Sequence, residues 1–470
     1  MSLMTVQISG TKKHKMKRRK FLAATSVSLL GLGSIGCQVN KSPEIIRKKR
    51  ANTIKTDVLV VGGGPAGIGA AVGAAKTGAR TLLIENYGFF GGVAAWGVGM
   101  CINQMRPDEK PRGYVHELLL QKLQNYGEQA VRISTHQFFT NTEYLKAGIL
   151  DVLDEVGCNY LVHAKAVESI TRGNRIKGVL ISTKSGLMEV LADIVVDCTG
   201  DADIAYFAGA ETMIETGNLS PQTLLFNVSN VNKYSQRDTA GVYKNAKSKY
   251  PLLPGGQGSF ILMKVSNCNH FYVNHSGTRD FGNFDVTDPV QFSKAECLSR
   301  RQIVQMVEAI REFGEGDTKA CEIVGASPQI GVRESRRIKG EYILTEDDAI
   351  KGSRFDDVIA WRSGWLDIGY VKISQMKIHQ VPYRAIVPEK IDGLLAAGRC
   401  ISTDHGGLSA GKSMGNCFAT GHAAGVAAAL SYKSGKIPRE LEVKVIQEVL
   451  RNDGVDLSRG GEDQDSRMAM

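Results

Sequence analysis

The sequence lacks any C-x-x-C pair, although it contains nine cysteines among its 470 residues. Paired cysteines at that spacing are typical of dithiol centres and zinc sites, so we assign neither, and no metal. Their wide scatter also argues against a disulfide framework. Most are expected to be small buried hydrophobic residues; they stand at positions 37, 101, 158, 198, 268, 297, 321, 400 and 417.

The body of the chain also lacks an excess of basic charge. Residues 1–50 contain twelve Lys or Arg and one acid, Glu44, for a formal charge of +11. The whole chain carries +10, so residues 51–470 sum to −1. The basic pI is therefore a property of the leader, and the body gives no support for a nucleic-acid partner.

The first 37 residues have the pattern of an export signal. Seven Lys or Arg within residues 12–20 precede an apolar run, 21–36, that is too short for a comfortable membrane span. The run Arg18-Arg19-Lys20-Phe21-Leu22 resembles the twin-arginine motif, whose pathway carries folded, cofactor-loaded proteins.

The end of this leader is a candidate lipid-attachment site. Ser34-Ile35-Gly36-Cys37 resembles a bacterial lipoprotein cleavage box, with Ser34 where Leu is usual. Lipidation at Cys37, cleavage nearby and an uncleaved anchor all stay open. We expect an exported protein, either periplasmic or lipid-anchored at the cell envelope, that meets a membrane only through such an anchor.

The most informative stretch runs from Asp57 to Gly92 and reads as a strand, a glycine turn, a helix and a second strand. The apolar run 58–61 is typical of a buried parallel strand. The turn and helix start then carry a dinucleotide fingerprint, in which a helix N-terminus faces a pyrophosphate. Its residues are Gly62, Gly64, Pro65, Ala66 and Gly67.

An acid closes the second strand of this unit. Glu85 follows the apolar run 81–84, where a carboxylate accepts both ribose hydroxyl protons and favours a 2′-hydroxyl over a 2′-phosphate. Gly91 and Gly92 lie just beyond it, where the backbone must run close to the pyrophosphate and ribitol. The whole unit predicts a bound dinucleotide.

Two later segments favour FAD over NAD. Thr199 and Gly200 follow a short predicted strand, and Gly398 ends another near the C-terminus. The last predicted helix begins at Ser413 and Met414, so that its N-terminal amides meet the flavin's pyrimidine edge and stabilise negative charge on the reduced ring. A simple NAD domain would not need this distant return of the chain.

These segments resemble the FAD-dependent oxidoreductase family of the glutathione-reductase-like flavoprotein superfamily, with distant similarity to fumarate reductase flavoprotein subunits. The resemblance covers residues 57 to about 455. It implies non-covalent FAD and an α/β fold, in which an FAD/NAD(P)-binding Rossmann-like domain carries an inserted α+β substrate domain. It does not imply a substrate, because the family is chemically diverse. The segments that carry it are LLIENYGFFGGVAAWG, VVDCTGDADIAYFAGA, IGVRESRRIKGEYILTEDD, VPYRAIVPEKIDGLLAAGRCIS and MGNCFATGHAAGVAAAL.

We divide the chain into an export signal, a tether, and an FAD-binding domain interrupted by a substrate domain. In that order the boundaries are 1–37, 38–55, 56–215 with 385–470, and 216–384. Helices are predicted at 142–156, 289–313 and 413–431, with a capped helix start at 345–348. Strands are predicted at 159–163, 166–171, 176–184, 188–192, 194–196, 222–228, 259–265 and 393–397.

Arg399 stands where many members of the wider superfamily have an acid. Its guanidinium is suited to pair with the pyrophosphate in a bidentate manner. A salt bridge to Asp201 or Asp203 is the equal alternative.

The segment 402–407, read as a loop before the last helix, is expected to approach the flavin. Within it, His405 is the candidate acid/base, because oxidation of an alcohol or amine needs a proton acceptor of near-neutral pKa. The alternative is a histidine that only hydrogen-bonds the loop backbone.

Several arginines are candidates for binding a carboxylate or phosphate on the substrate: Arg333, Arg336, Arg337 and Arg384. Of these, Arg336 and Arg384 are placed with His405 in the predicted catalytic group. Internal ion pairing with Glu334 and Glu341 is an equal alternative for the cluster.

Together these features predict an enzyme that exchanges a hydride between FAD and a small polar metabolite, such as a sugar, polyol or hydroxy acid. The expected partners are this substrate and an electron acceptor that the sequence does not identify. A lyase or hydratase without net redox change, and a flavin-carrying electron-relay lipoprotein, are the alternatives.

Overall fold

The computed structural model describes residues 51–461, except 111, 135–136, 232–241, 243–244, 255–260, 265–269, 275–276, 315–316 and 368–372. The predicted export signal, with Cys37, and the first part of the predicted tether lie outside these residues. The helices within them are α1 Pro65–Lys76, α2 Val93–Trp96, α3 Tyr114–Asn125, α4 Thr142–Glu155, α5 Asp203–Phe207, α6 Pro289–Phe313, α7 Glu346–Lys351, α8 His405–Gly411, α9 Met414–Ser434 and α10 Val443–Asn452.

The strands are mostly short and fall into several sheets. They are β1 Ala51–Val61, β2 Thr81–Ile84, β3 Ile102–Asn103, β4 Val131–Ile133, β5 Gln137–Thr140, β6 Asn159–Leu161, β7 Lys165–Arg172, β8 Arg175–Thr183, β9 Gly186–Asp197, β10 Thr212–Met213, β11 Phe226–Ser229, β12 Ile261–Lys264, β13 Phe271–Asn274, β14 Glu322–Ala326, β15 Arg337–Ile338, β16 Val358–Arg362, β17 Trp365–Asp367, β18 Ile373–Gln375, β19 His379–Pro382 and β20 Leu394–Ala396.

The largest sheet has seven strands and is mostly parallel. Its order is β6-β2-β1-β9-β8-β7, and β20 pairs with β9. The pairs β6/β2, β2/β1, β1/β9 and β9/β20 are all parallel, whereas β9/β8 and β8/β7 are antiparallel. The carboxyl ends of β1, β2, β9 and β20 therefore meet at one edge, which is where ligands bind in sheets of this kind.

The strand that ends at Asp197 is longer than the sequence predicted. The segments 188–192 and 194–196 form one strand of 12 residues, β9. Its first half pairs with β8, and its last three residues pair with β20. The prediction of two separate strands was wrong, because Asp193 does not interrupt the strand: it is an exposed residue within it. The same strand pairs with β1 from Ala51 onward, so strand structure begins inside the predicted tether.

Helices α1 and α9 pack backbone to backbone on this sheet. A Cβ added at Gly69 would lie 2.3 Å from the Phe418 carbonyl oxygen, and one added at Gly421 would lie 2.0 Å from that of Ala66. Glycine on both helices thus permits an approach that a side chain would block. This packing fixes the start of α9 beside the glycine turn after β1.

A second, antiparallel sheet has the order β12-β13-β11-β14 and packs with α6 around its own apolar core. Helix α6 spans the predicted 289–313, with Asp288 accepting hydrogen bonds from the Val290 and Gln291 amides as its N-cap. Strand β11 is shorter than the predicted 222–228, because Gln222 and Thr223 hydrogen-bond to other segments instead of a continuous strand.

Other helices follow the sequence prediction closely. Helix α4 matches the predicted 142–156, and α7 begins with the predicted cap, a reciprocal pair of hydrogen bonds between Thr345 and Asp348. Across the described part of the chain, no helix is both long and apolar enough to cross a membrane.

Candidate active site and cofactor site

Of the three fingerprint glycines after β1, one has room for a side chain and two do not. At Gly64, an added Cβ would meet nothing nearer than the Gly92 Cα, 3.9 Å away. At Gly67 it would lie 1.8 Å from the Gly62 carbonyl oxygen, and at Gly62 it would lie 2.6 Å from that of Cys198. Gly62 and Gly67 are thus required for packing, whereas the space over Gly64, at the start of α1, is open.

The carboxylate of Glu85 is buried directly behind this turn. Its Oε2 accepts a hydrogen bond from the Gly63 amide at 2.6 Å, and its Oε1 accepts one from the Tyr87 amide at 2.9 Å. Burial raises the pKa of Glu85, and these backbone donors oppose that shift. The acid is fixed at the end of β2, where a ribose would lie.

Gly91 and Gly92 form a wall beside the same turn. The Gly91 amide donates to the Gly63 carbonyl at 2.7 Å, which holds the two glycine segments together. Both residues have positive φ, 116° and 50°. Bare backbone therefore borders the space over Gly64 on this side.

The turn after β9 is shaped by Asp197, a buried acid. Its Oδ1 accepts from the amide and the hydroxyl of Thr199, and its Oδ2 accepts from the Ala205 amide at 2.9 Å. Burial raises the pKa of Asp197, while the Thr199 hydroxyl is the strongest opposing contact. Thr199 and Gly200 are thereby held at the same sheet edge as the first glycine turn.

Arg399 lies over Gly200 and forms the ion pair that the sequence left as an alternative. Its Nη2 lies 2.7 Å from Asp201 Oδ1, and its Nη1 donates to the Ser335 hydroxyl at 2.9 Å. Arg336 joins the same group through an ion pair with Asp203. Arg399 and Arg336 therefore each pair with a carboxylate in this structure.

Gly398 and the start of α9 complete the sheet edge. An added Cβ at Gly398 would lie 2.6 Å from the Ala66 Cβ, so this turn packs directly on the first turn of α1. The Ser413 hydroxyl oxygen is buried and has no hydrogen-bond partner in the described chain. With Met414 it stands at the N-terminus of the 21-residue helix α9.

His405 is the first residue of α8, so the predicted loop 402–407 is wrong in its second half. The N-cap of that helix is Asp404, whose Oδ1 accepts from the Gly407 amide at 2.6 Å and from the Glu346 amide at 3.0 Å. Asp404 therefore ties the start of α8 to the start of α7 and fixes the backbone of His405.

The side chain of His405 binds a fully buried carboxylate. Its Nδ1 lies 2.8 Å from Glu334 Oε1, which also accepts from Arg337 Nη1 at 2.8 Å. The other oxygen of Glu334 accepts from the Ser220 amide at 3.1 Å. Because a carboxylate only accepts, Nδ1 carries a proton, so in the neutral form of His405 the lone pair is on Nε2. That Nε2 is buried and has no partner among the described residues.

The electrostatics of this pair favour a charged carboxylate. Burial alone would raise the pKa of Glu334, but the His405 hydrogen bond, the His405 and Arg337 charges and the Ser220 amide bring it below its usual value. The hydrogen bond to Glu334 in turn raises the pKa of His405, and partial burial opposes the rise.

The remaining predicted residues lie in other surroundings. Arg384 is exposed and pairs with Asp357 at 3.0 Å, so no described contact joins it to His405. The Arg333 amide donates to Gln222. Arg337, which the sequence grouped with these arginines, shows the internal ion pair with Glu334.

Sequence reasoning missed two buried residues of this region. Glu334 was considered only as an ion-pair partner for arginine, and its contact with His405 joins residues 71 positions apart. Arg362 received no role, yet it is 2% exposed and lies against Gly411, with its Nη1 donating to the Gly407 carbonyl. No local pattern marks either residue, because each acquires its surroundings through tertiary contacts.

The fold and the sheet edge together define a dinucleotide-binding flavoprotein. The open space over Gly64, the buried Glu85 carboxylate and the start of α9 fit the pyrophosphate, ribose and ring system of FAD. The sequence profile described as "FAD dependent oxidoreductase" matches residues 57–450. The chain belongs to that family: it is an FAD-dependent oxidoreductase, and FAD is its cofactor.

Individual relatives are similar over part of the chain only. A digeranylgeranylglycerophospholipid reductase of Picrophilus torridus is 27% identical over 35% of this chain and 44% of its own length. A thiamine thiazole synthase of Aeropyrum pernix is 28% identical over 36% of this chain and 63% of its own length. The matched segment thus spans less than two thirds of each of these proteins.

Solved structures resemble the chain over a longer span at low identity. One of them is a geranylgeranyl bacteriochlorophyll reductase-like protein from Thermoplasma acidophilum. The structural match covers 85% of this chain and 84% of that protein's chain. Its identity to this chain is 14%, with a TM-score of 0.48.

Proposed function

We propose that this enzyme transfers a hydride between a small polar metabolite and non-covalently bound FAD, with His405 as the proton acceptor. The observation that carries the proposal is the pairing of His405 with buried Glu334, which leaves Nε2 as a basic atom without a partner in the described chain. FAD supplies the two-electron chemistry, and the chain supplies orientation and proton transfer.

The residues of the sheet edge have separable roles in this proposal. The amides at the start of α1 bind the pyrophosphate over Gly64, and the Glu85 carboxylate accepts the ribose hydroxyl protons. The start of α9 stabilises negative charge at the flavin ring. His405 takes the proton of the substrate hydroxyl while Glu334 holds its imidazole in the required tautomer.

We further infer a glutathione-reductase-like arrangement, with residues 216–384 as an inserted substrate domain. Its support is the separate apolar core that residues of β11, β13 and α6 form together. Export through a twin-arginine signal, with a periplasmic or lipid-anchored location, is proposed from the leader sequence alone.

The test is an anaerobic screen of purified holoprotein with sugars, polyols and hydroxy acids, followed by the visible flavin absorbance. Bleaching by one compound supports the proposal. Turnover without net bleaching would instead indicate a lyase or hydratase, and reduction only by a redox partner would indicate an electron relay.

His405→Ala is the decisive variant in that screen. It should retain FAD and slow flavin reduction by roughly 10²–10⁴-fold, the usual contribution of a general base, with partial recovery on adding imidazole. His163→Asn is the control, because His163 is exposed and has the positive φ that asparagine tolerates. An unchanged rate in His405→Ala would remove His405 from catalysis.

A further inference from the structure

Two buried arginines lie beside the start of α9. Arg112 is 3% exposed, and its Nη1 donates to Asn416 Oδ1, in the first turn of that helix, at 2.9 Å. Arg362 is 2% exposed, and an added Cβ at Gly411 would lie 2.0 Å from its Nη1. Its guanidinium therefore lies directly against the residue that ends α8, just before α9 begins.

The charge of Arg362 also acts on the first turn of α9. Burial raises the pKa of the Cys417 thiol to about 11, and Arg362 is the strongest charge opposing that rise. An added Cβ at Gly398 would lie 3.7 Å from Cys417 Sγ and 2.6 Å from the Ala66 Cβ on α1. These neighbours join Arg362 to the sheet edge where Gly398 and the start of α9 stand beside the first glycine turn.

Neither arginine has an acidic partner among the described residues. Arg112 donates to two backbone carbonyls and to the amide oxygen of Asn416. Arg362 Nη1 donates to the Gly407 carbonyl at 3.3 Å, and its Nε is buried without a partner in the described chain. A buried cation without a counter-charge is destabilising, so both charges call for an anion that the described chain does not supply.

The burial of both side chains decides which anion they serve. The Arg112 guanidinium lies over the Trp361 ring, 4.1 Å from its centroid, and that of Arg362 is covered by Gly411. A diffusing substrate would not contact either group, whereas their charges act at a distance through the low-dielectric interior. FAD supplies such an anion at this edge, because its oxidised ring is neutral and the addition of a hydride leaves one negative charge on it.

Resting on the proposed function, we propose that Arg362, supported by Arg112, is the counter-charge of the reduced flavin and raises the reduction potential of bound FAD. The substrate C–H hydrogen leaves as a hydride to the ring, and the O–H proton goes to His405, so the ring gains two electrons and one proton. Burial lowers the pKa of Arg362 to about 10 and that of Arg112 to about 9, so both remain protonated at neutral pH.

The test is the midpoint potential of FAD in FAD-saturated protein, measured anaerobically against a reference dye during dithionite reduction. The native protein should bind reduced FAD at least about tenfold more tightly than oxidised FAD, which raises the potential about 30 mV above that of free FAD. Arg362→Met should lower the potential by at least about the same amount. An unchanged potential in this variant, or a native potential at or below that of free FAD, would overturn the proposal.

Two further variants separate charge from packing. Arg362→Lys keeps the positive charge and should retain most of the native potential. Arg300→Met is the control for the loss of a surface charge, because Arg300 lies on α6 and pairs with Glu296, so its potential should equal that of the native protein. An equal decrease in Arg362→Met and Arg362→Lys would show that packing against Gly411 sets the potential, which would refute the role of the charge.

The dye titration contains no substrate, so it distinguishes this inference from the proposed function. A potential that depends on the Arg362 charge, with no compound bleaching the flavin in the anaerobic screen, would retain the role of Arg362 and refute hydride transfer from a small metabolite. Bleaching by one compound, with equal potentials in the native protein and Arg362→Met, would retain hydride transfer and refute the role of Arg362. A raised KM in Arg362→Met at an unchanged potential would instead assign the arginine to an anionic group of the substrate.

Discussion

The Nδ1 atom of His405 lies 2.8 Å from Oε1 of Glu334, and this contact sets the protonation behaviour of the proposed base. Because the Glu334 hydrogen bond raises the pKa of His405, Glu334→Gln should lower that pKa. The rate of flavin reduction rises with pH as the base loses its proton. In Glu334→Gln, the rising limb of the pH–rate profile should therefore move to lower pH. Stopped-flow reduction across pH measures the limb; a limb that stays in place would contradict the role of Glu334.

The same pair makes a predictable contribution to stability. The pKa of Glu334 is lowered, so its contribution is lost as pH falls through that lowered value; the pKa of His405 is raised, so its contribution is lost as pH rises through that raised value. Urea unfolding measures the loss of unfolding free energy that Glu334→Gln causes. This loss should therefore be largest at pH values that lie between the lowered pKa of Glu334 and the raised pKa of His405. A difference that does not vary with pH would exclude this linkage.

Two buried arginines should respond differently to the same substitution. Arg337→Met removes one of the two cationic partners of the buried Glu334 carboxylate and should cost about 3–5 kcal/mol of unfolding free energy. Arg362 has no acidic partner among the described residues, and burial lowers its pKa to about 10. Arg362→Met leaves no carboxylate unpaired, so it should cost less unfolding free energy than Arg337→Met. Urea unfolding with excess FAD compares them, and an equal loss in both would refute the distinction.

The fingerprint glycines should separate cofactor binding from folding. Gly64→Ala places its methyl group in open space at an ordinary φ of −75°, so the fold should persist while FAD affinity falls at least about tenfold. Gly67→Ala drives a methyl group into the Gly62 carbonyl and should unfold this unit or yield insoluble protein. Circular dichroism and FAD titration are the measurements. Unchanged affinity in Gly64→Ala would mean that the space over the turn does not hold FAD.

A buried pair ties α9 to the end of α10. His422 Nε2 lies 2.8 Å from Asp453 Oδ2, and Lys76 of α1 binds the same carboxylate. Burial would raise the pKa of Asp453, but the His422 and Lys76 hydrogen bonds lower it, so its contribution to stability is lost as pH falls through that lowered value. Asp453→Asn should lower the free energy of unfolding by about 3 kcal/mol at neutral pH, and by less at acidic pH.

An exposed pair provides the control for that variant. Asp347 and Lys351 form an i,i+4 ion pair in which both side chains are about two-thirds exposed, so Asp347→Asn should change stability by less than about 0.5 kcal/mol. Thermal or urea unfolding of both variants gives the comparison. Equal losses of unfolding free energy in the two variants would show that burial does not determine how much the Asp453 contact stabilises the fold.

Local sequence patterns predicted the parts of the fold that short-range chemistry determines. Helix α6 matches the predicted range 289–313, and α4 matches the range predicted from helical periodicity that stops at Gly157. The glycine turn after β1 follows from three glycines at fixed spacing after an apolar strand. In each case neighbouring residues supply both the signal and the structure.

Features that depend on distant partners were not predictable in this way. Strand β9 is continuous because β8 pairs with the first half of its edge and β20 pairs with the last three residues. Strand β20 comes about 200 residues later in the chain. His405 starts a helix because Asp404 caps it and also binds the amide of Glu346. The choice of Glu334 as its partner depends on how the segment before β15 passes α8, which no spacing encodes.

The most direct test of the account is the flavin content of the purified native protein after acid denaturation. We predict one FAD per chain, released into the supernatant and identified as FAD by its absorbance and chromatographic mobility. A colourless protein that takes up no added FAD, or flavin that stays with the precipitated chain, would contradict non-covalent binding at the sheet edge beside Gly64.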